Sequence, residues 1–140
     1  MSNIVEHVTS KELSERLMDL GVKQEGLYVW WVYDDGTESI VGSHESFDKK
    51  LIKTRLSYAF LSSELGEMLP GKIQEKDGMG SYKLSIEKGD DIWKVEYIYS
   101  YYSGINTDYL YSFSREKKIL SEAMGLILEY LIKNKLITLF

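Results

Sequence analysis

The sequence contains no cysteine, and this absence excludes two kinds of architecture. Neither a disulfide framework nor a cysteine-ligated zinc site can hold the chain together. With 140 residues the chain needs neither, because a domain near that size buries roughly 68–70% of the surface its unfolded form exposes. We therefore expect one domain spanning residues 1–140, with a core of packed side chains.

Basic residues and long apolar runs are also scarce. Seventeen lysines and arginines against 22 acidic residues give a net charge of −5, which opposes binding to a phosphate backbone and predicts no long nucleic acid as a partner. The most apolar stretch, 119–132, contains Ser121, Glu122 and Glu129 and falls short of the roughly 20 apolar residues that cross a membrane. Residues 1–7 lack the features of a secretory signal. We expect a cytoplasmic protein that does not contact a membrane.

Recognisable catalytic motifs are missing as well. The sequence has two histidines and no phosphate-binding loop, nucleophile elbow or zinc-binding H-E-x-x-H pattern. A weak metal site at His44 is less favoured than a polar loop there. The acidic pairs Asp34-Asp35 and Asp90-Asp91 stand where hairpin turns are predicted, and Asp is a common turn residue. We predict no catalytic residue, no metal and no cofactor, so an enzyme is the least favoured class.

The N-terminal helix has clear boundary signals. Thr9 and Glu12 match a capping box, and Gly21 followed by Val22 matches a Schellman-type end. These signals predict a helix over residues 9–20.

Two more helices are predicted, a short one over 62–69 and a long one from about Ser114 to Lys133. The long helix is apolar over more than one face, so it should be covered on several sides. Gly66 and Gly125 interrupt these helices at a cost of about 1 kcal/mol each relative to Ala. We expect close approach of a neighbouring element at both glycines, either the sheet or a second subunit.

Alternating and aromatic runs predict five strands. Residues 27–33 and 38–41 form a hairpin, and residues 82–87, 93–101 and 109–113 form a three-stranded meander. The predicted fold is therefore α+β, with an antiparallel sheet (hairpin plus three-stranded meander) packed against an N-terminal helix and a long C-terminal helix. Between the two groups, residues 44–58 fit a helical period only loosely.

Aromatic residues are abundant, with 11 Tyr, 4 Phe and 3 Trp. Alternation places Trp93 and Tyr97 on the core side of the meander. Other aromatic residues near the 103–106 turn are candidates for a partner surface or a small-ligand pocket, since aromatic rings stack on planar groups. The candidate binding residues are Trp31, Tyr99, Tyr101, Tyr102 and Tyr109.

Several segments resemble a family of small proteins encoded by tailed phages and prophages. They are residues 9–22, Trp30-Trp31, 63–70, 120–126 and 131–137. The resemblance implies a phage or bacterial origin and a compact α+β domain, and it brings no catalytic residues. Before the short helix the family has Ala-Pro-Thr, whereas here Ala59 is followed by Phe-Leu, so the usual capping residue of that helix is missing.

These observations predict a noncatalytic phage or prophage accessory protein that acts through protein–protein interaction or self-association. Its partner would be a host or phage protein, or a second copy of the chain. The alternative is a small-ligand protein that binds or sequesters a nucleotide-type molecule in an aromatic pocket.

Overall fold

The computed structural model describes residues 4–33, 35–42, 52–74, 80–102 and 107–137, and these form three α-helices and two antiparallel sheets. The predicted α+β class is confirmed. The helices are α1 (Lys11–Asp19), α2 (Ser62–Met68) and α3 (Leu120–Lys133), and a 3₁₀ turn at Ile4–His7 precedes them. The strands are β1 (Tyr28–Tyr33), β2 (Glu38–Gly42), β3 (Ile52–Ala59), β4 (Lys72–Gln74), β5 (Gly80–Lys88), β6 (Trp93–Tyr102) and β7 (Thr107–Lys117).

Both predicted strand groups are present, and each contains one strand more than expected. The hairpin β1–β2 is joined by β3, in the order β2-β1-β3, and the meander β5–β6–β7 is preceded by β4. The loose helical interpretation of residues 44–58 is wrong for its second part, because β3 pairs along β1. Residues 43–51, including His44, lie outside the described residues.

The boundary between β7 and α3 also differs from the prediction. Ser114 pairs with Glu96 and Lys117 pairs with Trp93, so β7 extends to Lys117 and α3 begins at Leu120. The polar residues 114–117 favour a helix locally, but the hydrogen bonds to β6 satisfy their backbone groups in extended form.

The C-terminal end of α1 has the predicted Schellman geometry. Gly21 has a φ of 93°, the Val22 N–H donates to the Leu17 carbonyl at 3.0 Å, and the Gly21 N–H donates to the Met18 carbonyl at 3.0 Å. Val22 and Leu17 are both buried, which is the apolar contact that accompanies this motif.

α3 lies at the centre of the molecule and contacts β6, β7, α1 and α2. This confirms that it is covered on several sides. Its buried residues join those of α1 and β6 in one core. The longest helix among the described residues has 14 residues, fewer than the roughly 20 that a membrane span requires.

α1 and α3 run side by side in the same direction. Ser10 contacts Glu122 near the start of both helices, and Arg16 contacts Glu129 further along. Between these points Gly125 allows α1 and α3 to pack closely, because a Cβ at position 125 would lie only 2.7 Å from Leu13 Cδ2. The predicted approach at Gly125 is thus made by α1. At Gly66 a Cβ would lie 3.6 Å from the nearest atom, an ordinary contact, so that part of the prediction is wrong.

Candidate functional site

The segment before α1 is fixed by a buried threonine. The Thr9 N–H donates to the Phe60 carbonyl at 3.0 Å, and the Phe60 N–H donates to Thr9 Oγ1 at 3.1 Å. Thr9 Oγ1 also lies 2.7 Å from the hydroxyl of Ser14. Thr9 is therefore a tertiary anchor and not the helix cap that its spacing from Glu12 predicts.

The residue that caps α1 is Ser10 and not Thr9. Its hydroxyl accepts from the Leu13 N–H at 3.3 Å, and its own N–H and hydroxyl donate to the two carboxylate oxygens of Glu122, both at 2.9 Å. In a local capping box, a glutamate three residues after the cap accepts from the cap N–H. Here Glu122, from the first turn of α3, takes that role.

Two further contacts hold α1 against the three-stranded sheet. The Trp30 indole N–H donates to the Thr9 carbonyl at 3.2 Å, and Lys11 Nζ lies 2.7 Å from Glu38 Oε1 on β2. The hydrogen bond to Glu38 raises the pKa of Lys11. Trp30 is thereby held with its ring beside the start of α1.

These contacts form the base of a groove of about 510 Å³, which we call the Trp30 groove. Its walls come from the 3₁₀ turn, α1, β1, β2 and the link between β7 and α3. The apolar lining residues are Val5, Val8, Trp30 and Ile119, and the charged ones are Lys11, Glu12, Glu38, Lys117, Lys118 and Glu122.

The Trp30 groove is lined by equal numbers of lysines and glutamates, but some of these charges already have a partner within the protein. Glu122 uses both carboxylate oxygens on Ser10, and Glu38 is paired with Lys11. Lys117 and Lys118 are exposed, and within the described residues neither forms an ion pair. As far as the described ranges show, two lysine ammonium groups at the rim are therefore available to a ligand.

A second groove, of about 580 Å³, lies on the other side of Lys118 and Ile119. We call it the Trp93 groove. Its lining residues are Glu6, His7, Ser62, Trp93, Lys118, Ile119, Leu120 and Ser121. Trp93 is partly exposed there, whereas Val95 and Tyr97 are fully buried, so the predicted core side of β6 ends in an accessible indole ring.

Two of the sequence-predicted binding residues have described side chains. Trp31 is partly exposed, and because it follows Trp30 on β1 it lies on the opposite face of the strand. Tyr99 is 5% exposed, its ring is 4.9 Å from that of Tyr82, and a Cβ on Gly80 would lie 2.8 Å from Tyr99 Cε2. The Tyr99 ring therefore covers a glycine within the core and does not offer a surface for stacking.

The other three candidates lie at the far end of the meander. Along the backbone, Tyr101 pairs with Asp108, Tyr102 pairs with Thr107, and Tyr109 pairs with Ser100. The side chains of these three tyrosines, and residues 103–106 between the strands, lie outside what the structure describes. Their role in binding stays a prediction.

Of the two acidic pairs predicted in turns, Asp35 has a structural partner, and Asp34 lies outside the described residues. Asp35 Oδ1 accepts from the Thr37 N–H at 2.9 Å and from its hydroxyl at 2.6 Å, and these hydrogen bonds lower the pKa of Asp35. Asp90 and Asp91 lie in the exposed turn between β5 and β6. Throughout the described ranges, no three His, Asp or Glu side chains come close enough to hold a metal ion.

Comparison with known proteins returns no relative. No family model matches the chain, and no curated protein or solved structure has significant similarity to it. The two grooves therefore have to be interpreted from their own chemistry.

Proposed function

We propose that the protein is a noncatalytic phage or prophage accessory protein that acts in the host cytoplasm by binding another protein through the Trp30 groove. The observation that carries this proposal is the combination of apolar lining residues with two exposed lysines at the rim, which form no ion pair in the described part of the chain. The phage assignment is supported by the resemblance of the sequence segments described above.

The groove has the composition of a protein-binding surface. Val5 is 45% exposed at its edge, and Trp30 is held in place by its hydrogen bond to Thr9. A fixed aromatic ring beside an exposed aliphatic side chain can bury an apolar residue of a partner, and Trp is enriched among the residues that dominate binding energy. The 510 Å³ of space falls in the range of ordinary binding clefts.

The charges favour a protein over a nucleic acid. The groove is lined by three lysines and three glutamates, so it has no excess of positive charge to attract a chain of phosphates. Among the described residues Lys117, Lys118 and Glu12 form no ion pair, so the two lysines outnumber the one glutamate, which suits an acidic side chain beside an apolar one. The partner segment would therefore be apolar and acidic.

The test compares two exposed aliphatic residues of similar accessibility. Val5 is 45% exposed in the groove and Ile86 is 41% exposed on β5, outside it. Placing a carboxylate beside the acidic partner segment should weaken binding, so we expect Val5→Asp to lower affinity at least tenfold, which corresponds to about 1.4 kcal/mol. Ile86→Asp should bind as the wild-type protein does.

The measurement is affinity capture from a lysate of the bacterial host, followed by titration of the captured protein. Charge reversal by Lys117→Glu should also weaken binding. If all three variants capture the same protein equally well, the Trp30 groove is not the binding surface.

The same variants identify the case in which the partner is a second copy. Light scattering of the purified protein would then show a dimer that Val5→Asp converts to a monomer, whereas Ile86→Asp leaves it unchanged. A wild-type monomer that captures no protein would overturn the proposal.

A further inference from the structure

We propose that the Trp93 groove is an anion-binding site, which takes a small molecule carrying one phosphate or carboxylate group on an apolar or aromatic body. This inference goes beyond the protein-binding function, because it concerns a second groove, which shares Lys118 and Ile119 with the first and is otherwise lined by different residues. Two observations support it: the first turn of α3 has no side-chain cap, and the buried hydroxyl of Ser121 in that turn has no hydrogen-bond partner among the described residues.

The first turn of α3 leaves backbone donors without helical partners. The first bond of the helix runs from the Ala123 N–H to the Ile119 carbonyl at 3.2 Å, so the N–H groups of Leu120–Glu122 precede it. The cap residue, Ile119, has no side-chain oxygen to accept from them. N–H groups without a helical acceptor and the positive end of the helix dipole together favour an anion.

The parallel packing of α1 adds a second positive helix end to this region, and the Glu122 carboxylate between the two ends offsets part of their charge. Because α1 and α3 begin at the same end of the molecule, the positive ends of both helix dipoles lie next to each other. Glu122 is placed between them, and its oxygens are directed to Ser10 of α1. The donors of α3 are not used by that carboxylate.

The Ser121 hydroxyl is a second, independent observation that points to a ligand at this end of α3. Ser121 is 1% exposed and lies on the wall of the Trp93 groove, and within the described residues its Oγ has no hydrogen-bond partner. Leaving a buried polar group unpaired costs about 1–3 kcal/mol. An anionic oxygen at the start of α3 would accept from this hydroxyl and remove that cost.

The remaining lining residues define the rest of the ligand. Lys118 is exposed and adds a positive charge, whereas Glu6 adds a negative one, so a single anionic group suits the groove better than a polyphosphate. Trp93 supplies an aromatic surface, with Lys88 Nζ 5.3 Å from its ring centroid. The volume of about 580 Å³ accommodates a ligand of nucleotide size.

The experiment is a titration of the isotope-labelled protein followed by amide NMR signals. Four probes separate the parts of the ligand: inorganic phosphate, adenosine monophosphate, benzoate and adenosine. We expect the amide signals of Leu120–Glu122 to shift with the anionic probes and not with adenosine. A stronger response to adenosine monophosphate than to benzoate would identify phosphate as the preferred group, and the reverse would identify carboxylate.

Variants test whether the named groups bind the anion. Ser121→Ala and Lys118→Gln should each raise the dissociation constant of the best probe about five- to tenfold. Lys117→Gln is the matched control, because Lys117 lines the Trp30 groove and not the Trp93 groove, and it should leave that constant unchanged.

Two results would overturn the site. One is that no anionic probe at millimolar concentration shifts the signals of Leu120–Glu122. The other is that the shifts persist with unchanged affinity in both Ser121→Ala and Lys118→Gln. Since Val5 lies outside the Trp93 groove, a Val5→Asp variant that loses its protein partner should still bind the probe, so the two proposals can fail separately.

Discussion

α1 and α3 begin at the same end of the molecule, but the backbone donors of their first turns are satisfied differently. At α1, Ser10 accepts from the Leu13 N–H, and Glu122 accepts from Ser10 itself. At α3, Ile119 offers no cap and the Ser121 hydroxyl has no partner among the described residues. Side chains of the protein cap the start of α1, whereas the start of α3, beside the Trp93 groove, has no side-chain cap among the described residues.

The comparison separates residues that hold the fold from residues available for binding. Glu122 is negatively charged and lines a groove, yet its oxygens are engaged in joining two helices. The hydroxyl of Ser121, its neighbour in the chain, has no hydrogen-bond partner within the described residues. Substitutions at the start of α1 should therefore affect stability, and substitutions at the start of α3 should affect ligand binding.

The largest effect is expected where the two helices approach most closely. A Cβ at Gly125 would lie 2.7 Å from Leu13 Cδ2 and 3.0 Å from Thr9 Cγ2. Gly125→Val would overpack this contact and lower the free energy of unfolding by about 3 kcal/mol, measured by urea denaturation.

Gly66→Ala is the control for that substitution. Its Cβ would make an ordinary contact of 3.6 Å with Met124, so the higher helix propensity of Ala should raise stability by up to about 1 kcal/mol. If the two substitutions changed the free energy of unfolding equally, α1 would not be in close contact with α3 at Gly125.

A smaller effect is expected from the contact between Ser10 and Glu122. Glu122→Ala leaves the Ser10 donors without an acceptor and should cost about 2 kcal/mol, and Ser10→Ala removes the cap and should cost about 1 kcal/mol. Because the two residues contact each other, the double variant should cost less than the sum of the single ones.

Glu12→Gln distinguishes this arrangement from the capping box predicted from the sequence. Glu12 is exposed on the first turn of α1, so its substitution should change stability by no more than about 0.5 kcal/mol. Costs for Glu12→Gln as large as those for Glu122→Ala would contradict the interhelical cap.

No loss of stability is expected at Ser121. Since its buried hydroxyl makes no hydrogen bond within the described residues, Ser121→Ala removes an unpaired polar group and should raise the free energy of unfolding by about 1 kcal/mol or more. Thermal and urea unfolding without ligand would measure this. A loss of 1 kcal/mol or more would reveal a partner for the hydroxyl and remove the reason for assigning it to a ligand.

Elements with a regular local pattern were predictable from the sequence. The Schellman end of α1 and the alternation of β5 and β6 depend on neighbouring residues, and both are present. β3 has an alternating signal too, in Ile52, Thr54, Leu56 and Tyr58, but the charged residues between them resemble the solvated face of a helix. The end of β7 was misplaced because its pairing with β6 overrides local helix propensity.

The candidate site was predicted less well, because its contacts join distant parts of the chain. The carboxylate that accepts from the Ser10 cap of α1 belongs to a residue 112 positions away, and no local spacing reveals it. The sequence favoured Trp31, but β1 is apolar on both faces, so alternation does not indicate that Trp30 faces the groove. Lys117 and Lys118 were part of a predicted helix, although they lie at the corner between β7 and α3.

The pairing of α1 with α3 also has a consequence for the order of folding. Residues 112 positions apart must meet before this contact forms, and contacts across so long a loop form late in folding because closing the loop costs entropy. We therefore expect the two sheets to form first and α1 to dock last. Gly125→Val would then speed unfolding while leaving the folding rate nearly unchanged, so its main effect would be a shorter lifetime of the folded state.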